Sequence, residues 1–267
     1  MLIHSKTKVL ITGVASGIGK IMARMALEKG AELIIWDINQ VGIDTTIDEF
    51  THLGKITGYK VDVSSENEII NTAQLVKQNH GNIDILINNA GMVVGKYFHE
   101  HSTQEINKTM AINANALMLI TLQFLPDMIQ NGGGHICNIA SSAGFISNPK
   151  MSVYVASKWA AIGWSDSLRI EMQYLNTNVK VTTVTPYYIN TGMFDGVKSQ
   201  IIPILKPEYA AKKILKGIEK DKIYVSMPLG MHFIRLTQGI LPVRAFDFVA
   251  GKILGIYHTM DHFTGRK

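Results

Sequence analysis

The chain of 267 residues is long enough to bury a substantial core, and its 46% hydrophobic content excludes a disordered polypeptide. Its one cysteine, Cys137, excludes an intrachain disulfide and points to a reducing, cytoplasmic setting. The net charge of +5 is uneven: Lys222 to Lys267 holds six basic and two acidic residues, leaving +1 for the first 221 positions, so the charge gives no argument for a nucleic-acid-binding body and no nucleic-acid partner is expected.

The elements alternate along the chain. No signal peptide is expected before the first strand-like run, "KVLIT" from Lys8. Ile18, Ile21, Met22 and Met25 then repeat at helical spacing, with Gly30 as a stop. "ELIIW" from Glu32 and "ITGYKV" from Ile56 read as strands, and Ile69, Ile70, Ala73 and Val76 as a helix face. "IDILIN" from Ile83, "HICNI" from His135 and "VKVTTVT" from Val179 complete six strands. Nearly continuous Val, Ile and Leu suits a parallel sheet covered on both faces. The expected class is therefore α/β: one doubly wound parallel sheet with helices on both faces. A single domain is expected over 1–267, its sheet ending near Ser226 and followed by an apolar, basic extension at about 222–267. No run of 18 apolar residues occurs, so no membrane-spanning helix is expected.

Such sheets bind ligands beyond the carboxyl ends of their strands. There the first strand meets "TGVASGIG", with Gly13, Gly17 and Gly19 before a helix. Glycine lets backbone approach a pyrophosphate, and the helix N-terminus offers it N–H groups and partial positive charge. Asp37 closes the second strand, 18 residues past Gly19, where a carboxylate accepts hydrogen bonds from adenosine ribose hydroxyls. It would also repel a 2′-phosphate by a few kcal/mol, roughly, at about 4 Å and an effective dielectric near 20. Neither Ser16 nor Ile38 is a cation that would offset this, so NAD is expected over NADP. The alternative is that Asp37 caps a helix or sits solvated in a loop. Asp62 in "VDV" is placed to meet adenine or to start a helix, and Asn89, Ala90 and Gly91 in "NNAG" let backbone pass close to a ribose.

Two of nine tyrosines have lysine four residues on, Tyr154–Lys158 and Tyr209–Lys213. If helical, each pair shares one face. Thirteen residues before Tyr154 lies Ser141, just past a strand; thirteen before Tyr209 lies Gly196 in a loop-like stretch. Tyr154–Lys158 therefore reads as chemical and Tyr209–Lys213 as structural.

With Asn113, these motifs stand in the order and spacing of the short-chain dehydrogenases/reductases, which the chain resembles from Thr7 to about Phe194. The resemblance implies a Rossmann-like fold and alcohol–carbonyl interconversion with NAD and no metal. It implies Tyr154 as general acid/base, with Lys158 lowering the phenol's pKa and holding nicotinamide-ribose hydroxyls. A lowering of ~3 units needs roughly 4 kcal/mol in favour of phenolate, an amount the Lys158 ammonium and the positive nicotinamide ring can supply by charge proximity. Ser141 would stabilise charge on the substrate oxygen; its neighbour Ser142 is one residue short of the family spacing. Asn113 would hold a water that relays protons to Lys158. Cofactor contacts are implied at Gly13, Ser16, Gly17, Ile18, Gly19, Asp62, Val63, Asn89, Ala90, Gly91, Pro186, Ile189 and Thr191, and a homotetramer is implied.

One position departs from the family pattern: Pro186 is followed by Tyr187, where glycine is usual. Tyr187 either projects into a substrate pocket or packs. "PYYINTGMF", "LKPEYAAKKIL" and "ILP" resemble the retinol and 17β-hydroxysteroid dehydrogenase branch, which implies a lipophilic alcohol, ketone or aldehyde substrate. The apolar basic tail is a lid, a subunit interface or a peripheral membrane contact. A 3-oxoacyl thioester reductase and a non-catalytic dinucleotide-binding protein are the rival readings; Asp37 opposes the first, and the intact Asn113, Ser141, Tyr154 and Lys158 set the second.

Overall fold

The computed structural model describes residues 2–265. Seven parallel strands form one sheet in the order β3-β2-β1-β4-β5-β6-β7. They are β1 (Lys8–Thr12), β2 (Glu32–Asp37), β3 (Ile56–Lys60), β4 (Ile85–Asn88), β5 (Gly134–Ile139), β6 (Val179–Pro186) and β7 (Tyr224–Met227). Side chains alternate across the pleat, so each strand feeds two cores. Val9, Ile11, Leu33, Ile35, Ile85 and Ile87 face one side; Leu10, Ile34, Trp36, Leu86 and Ile136 face the other.

The first face is covered by α1 (Gly17–Glu28), α2 (Gln40–Phe50) and, after the intervening helices, α7 (Pro207–Glu219). The opposite face is covered by α3 (Glu66–His80), α5 (Ala116–Gln130) and α6 (Ser152–Tyr174). A short helix, α4 (Thr103–Met110), runs into α5 through a π turn at Ala111–Asn115. The joined helix Thr103–Gln130 is, by length and composition, long and apolar enough to cross a membrane. Its apolar residues Leu117, Ile120, Phe124 and Met128 are nevertheless buried in the protein, the behaviour of a core helix.

The seventh strand corrects the six-strand expectation. "YVSM" pairs with β6 alone, from Thr183–Tyr224 to Pro186–Met227, so an edge strand of four residues suffices. The sheet boundary placed near Ser226 falls inside it. Beyond β7 come two short helices, α8 (Ile234–Ile240) and α9 (Val243–Asp247), then a π turn at Phe248–Ile253. This segment is not detached: Met231, Ile234, Ala250, Ile256 and Met260 join a third apolar cluster with Tyr154, Tyr187 and Tyr188.

Between β1 and β4 the strand order reverses, since β1 is followed in space by β2 on one side and β4 on the other. A crevice opens at such a point beyond the strands' carboxyl ends.

Candidate functional site

That crevice is a cleft of about 550 Å³. All the sequence-predicted site residues line it except Gly19 and Asn113. Gly13 has φ +72°, and a Cβ there would lie 2.9 Å from the Ala90 Cα. The turns after β1 and β4 thus pack backbone against backbone. Asn89 fastens them: its Nδ2 donates to the Thr12 and Gly13 carbonyls, both at 2.9 Å, while the Asn89 and Ala90 N–H groups donate to Thr12 Oγ1. Gly19 stands behind the cleft, where a side chain would overlap the Gly13 carbonyl.

Asp37 has structural bonds of its own. Its Oδ2 accepts from the Ala15 N–H at 2.8 Å and its Oδ1 from the Asn39 N–H at 3.0 Å. The carboxylate therefore sets the glycine loop while lining the cleft; the helix cap itself is Asn39, which accepts from the Gly42 N–H. Asp62 lines the cleft while its Oδ1 accepts from the Ser64 N–H and Oγ; the cap of α3 is Ser65, so Asp62 is not the helix-start acid.

At the other end, Ser141, Tyr154 and Lys158 converge. Ser141 follows β5, and its Oγ accepts from the Ala143 N–H at 3.1 Å. Tyr154 and Lys158 lie one turn apart on the inward face of α6, 5% and 4% exposed. The Lys158 Nζ donates to the Ile139 carbonyl at 3.1 Å and stands 5.6 Å from the Tyr154 ring centre. Burial pulls the Lys158 pKa down to about 8. Burial likewise pushes the Tyr154 phenol above its usual range, opposed by a hydrogen bond with Ser141 and reinforced by Tyr188.

The protein's own groups therefore hold the Tyr154 phenol neutral, and the acidification expected of Lys158 together with the nicotinamide ring includes that ring's charge. Both side chains are desolvated, and for a phenol that favours the neutral form. The structural pair behaves as read: Lys213 Nζ donates to the exposed Tyr209 hydroxyl at 3.1 Å.

Asn113 is fully buried behind the cleft wall. The π turn carries it inward, where its Oδ1 accepts from the Met92 N–H and its Nδ2 donates to the Met92 carbonyl and Ser157 Oγ. Both amide hydrogens are thus committed to bracing the 92 loop against α6. Cys137 is buried in β5, and burial raises its thiol pKa, as befits a packing residue.

Tyr187 both packs and lines the cleft. It is 6% exposed, shares a hydrogen bond with Ser199 Oγ at 3.1 Å, and meets Tyr188 edge-on at 4.6 Å. Its φ is not positive, so a side chain fits without strain where glycine was expected. Phe194 stands edge-on to Tyr188 at 5.0 Å and to Tyr154 at 5.9 Å. It was missed as a wall residue, although it lies three positions past Thr191. Met92, Lys108, Ile112 and Met193 also line the cleft; Met92 follows Gly91 and Ile112 precedes Asn113, so those two carried a positional signal.

The tail closes this end. Asn148 Nδ2 donates to Thr259 Oγ1 at 2.8 Å and to the Tyr188 hydroxyl at 3.0 Å; Tyr188 and Thr259 share a hydrogen bond at 3.0 Å. Gly196, at φ +83°, lets the tail cross, because a Cβ there would overlap the His262 carbonyl.

The groups present fit a dinucleotide: a glycine cradle at the start of α1, a carboxylate at β2 and a long cleft between them. Among the described residues no His, Cys, Asp and Glu group has the makings of a metal site.

Residues 7–201 match the family model for short chain dehydrogenase. Epidermal retinol dehydrogenase 2 of Mus musculus is 38% identical over 265 residues, covering 97% of this chain and 85% of that protein. Estradiol 17-beta-dehydrogenase 11 of Homo sapiens is 34% identical over 247 residues, covering 92% and 82%. In fold, the chain is similar to a short chain dehydrogenase/reductase from Burkholderia phymatum crystallised with NAD, with TM-score 0.82, 23% identity, and coverage of 90% and 95%. The chain belongs to the short-chain dehydrogenase/reductase family of oxidoreductases.

Proposed function

We propose that this protein is an NAD-dependent dehydrogenase that interconverts a hydroxyl and a carbonyl on a lipophilic alcohol. The observation that carries the reading is the convergence of Ser141, Tyr154 and Lys158 at one end of a cleft whose far end holds Asp37. Gly13, Ser16, Gly17 and Ile18 hold the pyrophosphate, Asp37 the adenosine ribose, and Asp62 and Val63 flank the adenine. Asn89, Ala90 and Gly91 floor the centre, and Pro186, Ile189 and Thr191 border the nicotinamide end.

When bound, NAD supplies the hydride acceptor and a positive ring. Tyr154 takes the proton of the substrate hydroxyl as the C–H bond yields its hydride, and returns it in the reverse direction. Ser141 has one hydroxyl proton: without substrate it can donate to Tyr154, and with substrate bound it turns to the substrate oxygen. Lys158, held by Ile139, orients the nicotinamide ribose, and Asn113 acts through the loop and helix it braces. Asp37 supports NAD over NADP by repelling a 2′-phosphate.

The lipophilic substrate is supported by the aromatic wall of Tyr187, Tyr188 and Phe194, and by relatives whose names denote retinol and estradiol oxidation. Self-association is supported by apolar residues exposed on α5 and α6, among them Leu122, Trp159 and Ile170.

The test is NADH formation across retinol, estradiol and simple secondary alcohols. Tyr154→Phe should lower turnover by about 10²–10⁴-fold while leaving NAD binding intact. Undiminished turnover in that variant would refute the assignment.

A further inference from the structure

The segment from Leu229 to Ile253 carries an apolar face that the fold leaves uncovered. Leu229, Phe233, Leu236, Ile240, Val243 and Phe248 are 56–76% exposed, and Ile253 is 52% exposed. Phe233, Leu236 and Ile240 follow helical spacing, so they share one side of α8. The other side is fixed to the body: Ile234 is buried, and Gln238 Nε2 donates to the Phe145 carbonyl at 2.5 Å. The exposure therefore belongs to an anchored element. Together these side chains present on the order of several hundred Å², the scale at which an exposed patch marks an interaction site.

Charge selects the occupant. Arg244 and Lys252 are exposed within the same segment, and its one acid, Asp247, accepts from the Tyr257 hydroxyl at 2.6 Å. From residue 222 onward the chain carries +4 of its +5 charge. A second copy seated here would oppose like charges, whereas an anionic bilayer complements them and takes up the apolar side chains. Met231 and Ile234, on the inward side, lie in the cluster that contains Tyr154, Tyr187 and Tyr188.

We propose that residues 229–253 dock this protein on an anionic lipid surface and so place its cleft beside substrate dissolved in the bilayer. The docking stands on the surface itself; delivery of substrate rests on the lipophilic-alcohol reading above.

The experiment is co-sedimentation of the full chain with phosphatidylcholine vesicles, with and without phosphatidylserine. Binding should require phosphatidylserine and weaken as salt is raised. The pairs Phe233→Glu with Leu236→Glu, and Arg244→Glu with Lys252→Glu, should each weaken it by about tenfold or more. Both pairs should oxidise a short water-soluble alcohol at the wild-type rate but lose turnover of vesicle-borne retinol. Absent vesicle binding, or binding indifferent to both pairs, overturns the proposal. So does light scattering in which the Phe233→Glu, Leu236→Glu pair breaks an oligomer that does not bind vesicles, since the face is then a subunit interface. Vesicle binding without turnover of any alcohol would instead refute the dehydrogenase reading.

Discussion

The Lys158 ammonium is sealed against the Ile139 carbonyl at 3.1 Å, a buried cation whose nearest partner is a neutral dipole. Its pKa falls from 10.5 to about 8 because burial disfavours the charged form. In the folded protein Lys158 releases its proton more readily than in the unfolded chain. Folding stability should thus rise with pH between about 8 and 10, and the penalty is fully present below about 8. Its size is about 3 kcal/mol. Above about pH 10 the raised Tyr154 works in the opposite direction, since the folded state then holds the extra proton. Denaturant titrations across this window should show the rise in the wild type and not in Lys158→Met. A parallel rise in both would mean that Lys158 is not its source.

Asp37 is expected to set cofactor choice and loop shape separately. Asp37→Asn keeps an oxygen to accept from the Ala15 N–H but removes the charge, so it should shift the ratio of kcat/KM for NAD over NADP by at least about tenfold toward NADP. Asp37→Ala loses the acceptor as well and should weaken both cofactors. An unchanged ratio in Asp37→Asn would show that repulsion of the 2′-phosphate is not what selects NAD.

Much of this site was legible because it sits where strands end. The Val-, Ile- and Leu-rich runs marked six strands, and the residues following them gave the cleft. β7 was lost because "YVSM" is short, pairs on one side only and follows a helix rich in lysine. The side-chain partners of Asn113 were hidden for a different reason. Its inward turn depends on a π turn, whose five-residue register leaves no hydrophobic period to read. The bond from Ala15 to Asp37 joins residues 22 apart, and the latch of Asn148 on Thr259 joins residues 111 apart. Such partners follow from packing, not from local pattern. Desolvation of the Tyr154 phenol and the Lys158 amine follows from the packing around α6, which motif spacing does not carry.

Ser141 and Ser142 are adjacent and both buried, but only Ser141 lines the cleft and bonds with Tyr154. Ser141→Ala should reduce kcat by about 10²–10³-fold, the usual effect of losing one donor to a developing oxyanion. Ser142 supports the following turn through its carbonyl, which accepts from the Phe145 and Ile146 N–H groups and survives substitution. Ser142→Ala should therefore remain within about threefold of wild type. The reverse order in steady-state kinetics would assign the oxygen-stabilising role to Ser142.

Thr259 joins the tail to the substrate end of the cleft. Its Oγ1 meets both Asn148 and the Tyr188 hydroxyl, and Tyr188 supports Phe194, which in turn abuts Tyr154. Thr259→Val keeps the shape but leaves those polar groups short of a partner, a loss of about 1–3 kcal/mol. If the tail is a wall of the pocket, KM for a bulky alcohol should rise severalfold while kcat for a small one changes little, because Ser141, Tyr154 and Lys158 make no bond to Thr259. Equal losses for both substrates would instead mean that the latch holds the catalytic tyrosine in place. An unaltered KM together with an unaltered melting temperature would remove the tail from the pocket altogether.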